Sequence, residues 1–312
     1  MKLGIIMDPI EKISVAKDSS FAMLLAAQKL GWDCYYMQLG DLQIHENRAC
    51  ALMRPVSVKD NPTDWFKLGN TVENPLKALD IILMRKDPPV DMQYIYATQI
   101  LELAEAEGVK VINRPAALRN VNEKLFIHWF PDCVPPTLIT RDQDAILQFL
   151  EQYKTIVVKP LDGMGGISIF QLNTGDVNNR VIIETLIDSG KRFVIAQKFI
   201  PDIVDGDKRI LLINGEPVPY ALARIPRAGE IRGNLAAGGS GRGVELTEND
   251  YRICKTIGPR LRNEGLFFVG IDVIGDNLTE INVTSPTCIR ELDKLYNLDI
   301  AGQLLQRIIE TR

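Results

Sequence analysis

The sequence predicts an α/β protein of several domains, in which an open α/β domain is followed by a region richer in antiparallel sheet. Short apolar runs alternate with helical patterns in the first hundred-odd residues, and this alternation predicts parallel βαβ units. Later apolar runs are joined by short turns containing glycine or asparagine, which predict hairpins. The length of 312 residues fits two or three domains of about 100–200 residues each.

Composition and charge restrict the class of protein. Hydrophobic residues make up 46% and charged residues 24% of the chain, enough apolar side chain for a large core. The net charge of −4 argues against a nucleic-acid-binding or membrane-surface protein. We expect no membrane span and no signal peptide, because every apolar run is too short. The five scattered cysteines contain no C-x-x-C pair, which predicts a reducing, cytoplasmic location without disulfides or a zinc site.

The first elements form the predicted open α/β domain. A helix is expected to run to Leu30, because Asp18-Ser19-Ser20 offer a polar start with a cap and Gly31 can end it. A second helical pattern covers residues 93–107. Sites in such domains usually lie beyond the carboxyl ends of the strands. The short apolar runs expected to be buried strands are residues 3–7, 34–37, 80–84 and 109–112.

The rest of the chain follows a different pattern. Residues 142–152 predict an amphipathic helix, and two helical stretches close the chain. Tight turns are expected at Asn214-Gly215 and Asp276-Asn277. Residues 225–244, rich in Gly and Arg, are expected to be irregular, either as a mobile cover that excludes water or as disorder without function. The predicted strands are residues 155–159, 167–172, 193–197, 209–213, 218–223, 266–274 and 278–283.

A glycine-rich segment, DGMGG at residues 162–166, lies between two of these predicted strands. It lacks the Gly-Lys-Ser/Thr of a P-loop and does not open a helix, so neither common nucleotide-binding fingerprint fits. Glycines in a turn can bring backbone N–H groups close to phosphate oxygens. A plain hairpin turn is the alternative. Three glycines in five residues, soon after Lys159, favour phosphate contact.

Three oxygen-bearing side chains converge in the hairpin over residues 266–283. Alternation places Glu280 and Asn282 on one face of their strand, and the turn brings Asp272 close to them. Mg²⁺ is usually held by one or two carboxylates together with substrate phosphates. The alternative is that the carboxylates pair with buried arginines, since a buried carboxylate needs positive charge beside it. We favour the metal.

Four side chains are candidates for substrate contacts, most of them with a structural alternative. Ser19 lies where a helix start offers free N–H groups to a carboxylate, although it can equally be part of an N-cap. Arg85 follows a predicted strand and suits a carboxylate clamp, the alternative being an exposed ion pair with Asp87. Ser285 and Thr287 follow the metal strand, and Ser285 could instead cap the next helix.

Six strings of residues, in this order, resemble bacterial (prokaryotic-type) glutathione synthetases of the ATP-grasp superfamily. The strings are MDP at 7–9, KDSSFAM at 17–23, MRKDPP at 84–89, KPLDGMGG at 159–166, GNLAAGG at 233–239 and EINVTSPT at 280–287. The resemblance runs from the first strand to the last helix. It implies an N-terminal α/β substrate-binding domain followed by an ATP-grasp fold. The implied boundaries are 1–120 for that domain, 121–200 for a central lid domain and 201–312 for a C-terminal catalytic domain.

The resemblance also implies roles for individual residues. Asp272, Glu280 and Asn282 would hold Mg²⁺, with Mn²⁺ as a possible substitute. The residues implied to neutralise charge on the transferring phosphoryl group are Arg209, Arg224 and Arg232. The residues implied to bind ATP are Lys124, Lys159, Gly163, Gly165, Gly166, Gln197, Lys198, Ile200 and Asp207.

The activity implied is ATP-dependent ligation of γ-glutamylcysteine and glycine through an acyl phosphate. The resemblance also implies a homo-oligomer, namely a tetramer. Two alternatives stay open. One is an ATP-grasp carboxylate–amine ligase with a different peptide substrate, which the N-terminal strings at 17–23 and 84–89 argue against. The other is a non-catalytic ATP-binding regulator, which would not need the complete set of metal ligands and arginines.

Overall fold

The computed structural model of the chain describes residues 1–233 and 238–311, which form three β-sheets with helices packed around them. The elements around the first sheet are β1 (Lys2–Ile6), α1 (Ser19–Lys29), β2 (Asp33–Met37), β3 (Leu42–His45), β4 (Arg48–Val58), β5 (Phe66–Leu68), β6 (Val72–Pro75), β7 (Ile81–Met84), α2 (Met92–Ala106), β8 (Lys110–Ile112) and α3 (Pro115–Asn120). Strands β2, β1, β7 and β8 lie side by side and parallel. The predicted βαβ units are therefore confirmed.

The caps of α1 explain why its bounds were predictable. The Asp18 carboxylate accepts a hydrogen bond from the Phe21 N–H at 2.7 Å, and Gly31 follows the helix with φ +74°. The antiparallel strands β3, β5 and β6, which all pair with β4, were not predicted. Their side chains are largely exposed or half-buried, so they carry no apolar signal.

The second sheet is small and entirely antiparallel, in the order β11-β10-β12-β9. The predicted helix at 142–152 and the hairpin around the glycine segment are both confirmed, but the second hairpin strand begins at Phe170 instead of residue 167. Helix α5 was not predicted. The elements are β9 (Thr137–Thr140), α4 (Gln143–Tyr153), β10 (Thr155–Pro160), β11 (Phe170–Asn173), α5 (Asn179–Leu186) and β12 (Val194–Lys198).

The third sheet carries the acidic hairpin and has the antiparallel order β15-β14-β13-β16-β17. The predicted turn at Asn214-Gly215 is confirmed, with φ of 50° and 75°. The hairpin at the acidic residues turns one residue earlier than predicted, at Gly275-Asp276. The elements are β13 (Asp207–Ile213), β14 (Glu216–Ile225), β15 (Ser240–Glu245), α6 (Glu248–Glu264), β16 (Phe268–Ile274), β17 (Asn277–Asn282), α7 (Ile289–Tyr296) and α8 (Ile300–Glu310).

The prediction of one irregular segment over residues 225–244 was wrong at its C-terminal end, because β15 begins at Ser240 and pairs with β14. Glycines in this strand serve close packing. A Cβ on Gly243 would lie 2.6 Å from the Tyr296 ring, and one on Gly241 would lie 3.3 Å from the Leu222 side chain. Residues 234–237, the centre of the interpreted cover and of the GNLAAGG string, lie outside the described residues.

The first and third sheets share their apolar cores, whereas the second sheet has a core of its own. Two large clusters of buried side chains each combine residues from both of those sheets and their helices. The second sheet has a separate cluster of its own, formed with α4 and α5. No helix within residues 1–233 and 238–311 is long and apolar enough to span a membrane.

Candidate active site

A cavity of about 330 Å³ lies between the second and third sheets, within the usual size range of small-molecule sites. One wall comes from β10, the glycine segment and the end of β12, and the other from β13, β14, β16 and β17. The residues predicted for the site that line this cavity are Lys124, Lys159, Gly163, Gly165, Gly166, Gln197, Lys198, Ile200, Asp207, Arg209, Arg224, Arg232, Asp272, Glu280, Asn282, Ser285 and Thr287. The topology thus brings together every predicted site residue except Ser19 and Arg85.

The glycine turn presents free backbone N–H groups to the cavity. Gly165 and Gly166 have φ of 65° and 82°, and their N–H groups donate no hydrogen bond within the described residues. The turn is fixed from outside, because Lys124 Nζ donates to the Gly163 carbonyl at 2.9 Å and Asn122 Nδ2 donates to the Leu161 carbonyl at 3.0 Å. Free N–H groups beside lysines form a site that suits phosphate.

One end of the cavity is apolar and suits a planar base. Ile200 follows β12, and its N–H finds no acceptor among the described residues, so it is available to a ligand. Gln197 is buried and donates from Nε2 to Thr137 Oγ1 at 3.3 Å. The apolar side chains at this end are Val157, Ile169, Ile203 and Ile274. An apolar slot with a few polar groups at its edge is typical of small-ligand binding.

The predicted convergence of the acidic side chains is confirmed, since Asp272 lies opposite Glu280 in the register of β16 and β17. Asp272 accepts hydrogen bonds from Arg209 Nε at 2.5 Å and from Asn282 Nδ2 at 3.2 Å, and forms an ion pair with Arg224 Nη2 at 2.9 Å. Burial would raise the pKa of Asp272, but the charges of Arg209 and Arg224 lower it below its usual value. The pairing with arginines that we considered as the alternative to a metal is therefore present.

Glu280 lies on the wall formed by the third sheet and faces Lys159 and Lys124. Its Oε1 lies 2.9 Å from Lys159 Nζ and 3.8 Å from Lys124 Nζ. Burial opposes ionisation of Glu280, yet the charges of Lys159 and Lys124 lower its pKa. Burial also works against the charge of Lys124, but Glu280 and Glu123 raise the pKa of that ammonium. Carboxylates and cations of both walls thus stabilise one another across the cavity.

Side-chain oxygens that accept no hydrogen bond from the protein are the ones available to a divalent cation. In the described part of the chain, Glu280 Oε2 and the Asn282 side-chain oxygen accept no hydrogen bond. Asp207 Oδ1 is buried and has no partner among the described residues, and burial raises the pKa of Asp207 to about 6 despite the charge of Arg224. The described residues contain no group of three or more His, Cys, Asp or Glu that could hold a metal alone. The donor set therefore fits a hard cation whose shell is completed by phosphate oxygens.

Ser19 and Arg85 lie behind the cavity wall. Arg85 is buried, donates from Nη2 to the Pro286 carbonyl at 2.8 Å, and forms no ion pair with Asp87. Ser19 Oγ accepts the Ile289 N–H at 3.3 Å. Both side chains therefore hold the segment that carries Ser285 and Thr287.

Two residues that matter at the site were missed from the sequence. Glu123 lines the cavity and contacts Lys124 Nζ, and its position beside a predicted phosphate-binding lysine was the available signal. Asn113 bonds to the ends of β16 and β17, for which no local signal exists. The alternative that Ser285 caps the next helix is not realised, because Cys288 is the N-cap residue of α7.

Comparison with known proteins decides the family. The sequence model of the prokaryotic glutathione synthetase N-terminal domain matches residues 1–119, and that of the ATP-grasp domain of the same enzymes matches residues 123–297. The chain belongs to the prokaryotic glutathione synthetase family. A glutathione synthetase of Shewanella oneidensis is 55% identical over 312 residues, covering 100% of this chain and 99% of the relative.

Solved structures of other ligases share the ATP-grasp fold of this glutathione synthetase family member. D-cycloserine synthetase DcsG has a TM-score of 0.68 at 13% identity, covering 100% of this chain and 99% of its own. The ATP-grasp ligase PsnB, in complex with a minimal precursor, Mg and ADP, has a TM-score of 0.63 at 16% identity, with 99% and 97% covered. The chain is therefore an ATP-dependent, peptide-forming ligase of glutathione synthesis with an ATP-grasp domain.

Proposed function

We propose that the cavity binds ATP between the second and third sheets and joins γ-glutamylcysteine to glycine there. The observation that carries this proposal is the convergence of free N–H groups and lysines on one wall with arginines and carboxylates on the other. The adenine would lie at the apolar end beside Gln197, Lys198 and Ile200, where the free Ile200 N–H can meet its edge. Asp207, with its unpartnered Oδ1, would accept a hydrogen bond from the nucleotide.

The first step is transfer of the γ-phosphoryl group. A carboxylate oxygen of the cysteinyl residue attacks the γ-phosphorus, the bond to the β-phosphate oxygen breaks, and ADP leaves. Lys124, Lys159 and the N–H groups of the glycine turn would hold the phosphates. Arg209, Arg224 and Arg232 would neutralise the charge that develops on the transferring group. Positioning and electrostatic stabilisation of this kind supply most of the catalysis in phosphoryl transfer.

The second step forms the peptide bond. The glycine amine attacks the acyl carbon of the acyl phosphate, phosphate leaves, and the amine loses a proton. Ser285 and Thr287 face the cavity at the end of β17 and would contact the dipeptide or the incoming glycine. Ser19 and Arg85 would contribute by holding that segment, since each bonds to its backbone.

A divalent cation, when bound by Asp272, Glu280 and Asn282, would neutralise phosphate charge as a Lewis acid. We propose Mg²⁺ as the usual ion and Mn²⁺ as a substitute, because the free donors are carboxylate and amide oxygens. The structurally similar ligase PsnB was solved with Mg and ADP. We also propose a cytoplasmic location, which is supported by five cysteines that are all free and buried. The proposed assembly is the tetramer that the family resemblance implies.

The proposal predicts that purified protein releases phosphate from MgATP only when γ-glutamylcysteine and glycine are both present. The measurement is a coupled phosphate assay in which each substrate is omitted in turn, with mass spectrometry of the product. Equal turnover with unrelated dipeptides would support a different carboxylate–amine ligase. Binding of ATP without turnover under any of these conditions would support a regulator.

A further inference from the structure

Every buried cation at the cavity is matched by a carboxylate. Lys159 pairs with Glu280, while Arg209 and Arg224 pair with Asp272. Lys124 is 3% exposed and contacts Glu123 from Nζ. The Lys124 charge is therefore compensated before any phosphate arrives.

Glu123 differs from Asp272 and Glu280, two of the other carboxylates that line the cavity. Asp272 and Glu280 lie together on the third sheet, where the proposed cation would compensate their charge. Glu123 lies on the connection to the second sheet, next to Lys124, and is outside that ligand set. Its backbone carbonyl accepts the Ile281 N–H at 2.9 Å, so the side chain is held beside the acidic hairpin and faces the cavity. A triphosphate reaching Lys124 must therefore come close to this carboxylate.

We propose that Glu123 is a specificity-determining residue that makes the enzyme select the metal–nucleotide complex over the metal-free nucleotide. Metal-free ATP carries more negative charge than its complex with a divalent cation, so the Glu123 carboxylate repels it more strongly. Glu123 also competes with the phosphates for Lys124. The metal-bound nucleotide would be repelled less by Glu123, because the cation neutralises part of the phosphate charge. The inference rests on the ATP site proposed above.

The experiment measures dissociation constants of ATP by calorimetry, in excess Mg²⁺ and in excess EDTA, for the wild type and for Glu123→Gln. The amide keeps the size of the side chain and removes its charge. We expect Glu123→Gln to bind metal-free ATP at least about tenfold more tightly than the wild type does, and MgATP less than about threefold more tightly. The matched control is Glu151→Gln, which removes the same charge from an exposed position on α4 and should change neither constant.

Two further variants separate charge from shape. Glu123→Asp keeps the charge and should retain the wild-type ratio of the two constants, whereas Glu123→Ala should shift the ratio in the same direction as the glutamine. An unchanged ratio in both neutral variants would overturn the inference, as would a shift in Glu123→Asp equal to theirs. If the wild type binds neither form of ATP, the proposed function fails instead. Circular dichroism of each variant checks that the protein remains folded.

Discussion

At the scale of single residues, the partners of each carboxylate decide what its substitution does. Asp272 is buried and compensates two buried arginines at once. Removing its charge would leave Arg209 without a carboxylate partner among the described residues and Arg224 paired with Asp207 alone, a loss of about 3–5 kcal/mol for a broken buried pair. Glu280 is about one-fifth exposed, and one of its oxygens has no donor among residues 1–233 and 238–311. Glu280 is therefore the better position for testing metal binding without unfolding the protein.

The first prediction concerns Glu280→Gln. An amide oxygen can still accept the hydrogen bond from Lys159, but that lysine loses its charged partner, so we expect a loss of thermal stability that is smaller than for removal of the Asp272 charge. Turnover should fall by roughly 100-fold or more, because a charged ligand of the catalytic cation is lost. Steady-state rates over a range of Mg²⁺ concentrations, together with thermal unfolding, measure both effects. Glu245→Gln, an exposed carboxylate of the same sheet on β15, should leave both unchanged, and wild-type turnover in Glu280→Gln would remove the metal assignment.

At the scale of secondary-structure elements, local patterns predicted the acidic hairpin and the glycine turn of the site. The alternation of β17 placed Glu280 and Asn282 on one face, and the hairpin then brought them to Asp272, as the structure confirms. Local patterns also led to wrong predictions of secondary structure. Glycines in β15 indicated an irregular segment although they allow contact with Tyr296, a residue 53 positions from Gly243. Helix α6 was missed, and it continues through Pro259, a residue that usually ends a helix.

A second prediction tests one such contact between elements. Gly258 of α6 packs against the turn between β13 and β14, and a Cβ added to it would lie 2.5 Å from the Gly215 carbonyl oxygen. Alanine favours a helix over glycine by about 1 kcal/mol, but the backbone clash should outweigh this gain. We expect Gly258→Ala to lower the free energy of unfolding by about 1–3 kcal/mol. Urea denaturation measures the change.

The control for that prediction is Gly40→Ala. Gly40 has no positive φ, and its added Cβ would meet no atom within 4 Å. Its unfolding free energy should therefore stay within about 0.5 kcal/mol of the wild type. A stabilised Gly258→Ala variant would mean that the turn and the helix separate easily, which contradicts the close packing described for them.

At the scale of the whole molecule, the first sheet supports the site from behind. Arg85 and Pro286 are 201 residues apart in sequence, and Ser19 and Ile289 are 270 apart, yet hydrogen bonds join both pairs. Periodicity and turn signals describe neighbouring residues only, so they could not distinguish a substrate contact from a support of this kind. The resemblance to a known family supplied the set of cavity residues, and only the three-dimensional packing assigned these long-range partners.

Asn113 is the strongest of these long-range supports. It follows β8 of the first sheet, is 3% exposed, and makes four hydrogen bonds to the third sheet. Its Nδ2 donates to the Phe268 and Val283 carbonyls at 2.8 and 2.7 Å, and its Oδ1 accepts the Phe267 and Phe268 N–H groups at 2.7 and 2.8 Å. Because Val283 directly follows Asn282, this side chain fixes the end of the strand that carries the proposed metal ligands.

The last prediction is that Asn113→Asp destabilises the protein in a pH-dependent way. The carboxylate keeps both acceptor contacts but turns an oxygen towards two carbonyl oxygens, so we expect a loss of about 3 kcal/mol at pH 8. Burial and these carbonyls raise the pKa of the new carboxyl in the folded state above its unfolded value. The loss is therefore complete above the folded pKa and shrinks as the pH falls through it, because a protonated carboxyl can donate to one carbonyl. Asn113→Ala, which has nothing to titrate, should show a loss that does not change between pH 8 and 5. Urea denaturation across that range measures the free energy of unfolding of the two variants. If the difference between these free energies did not change with pH, the Asn113 side chain would not be holding the first and third sheets together through its amide hydrogen bonds.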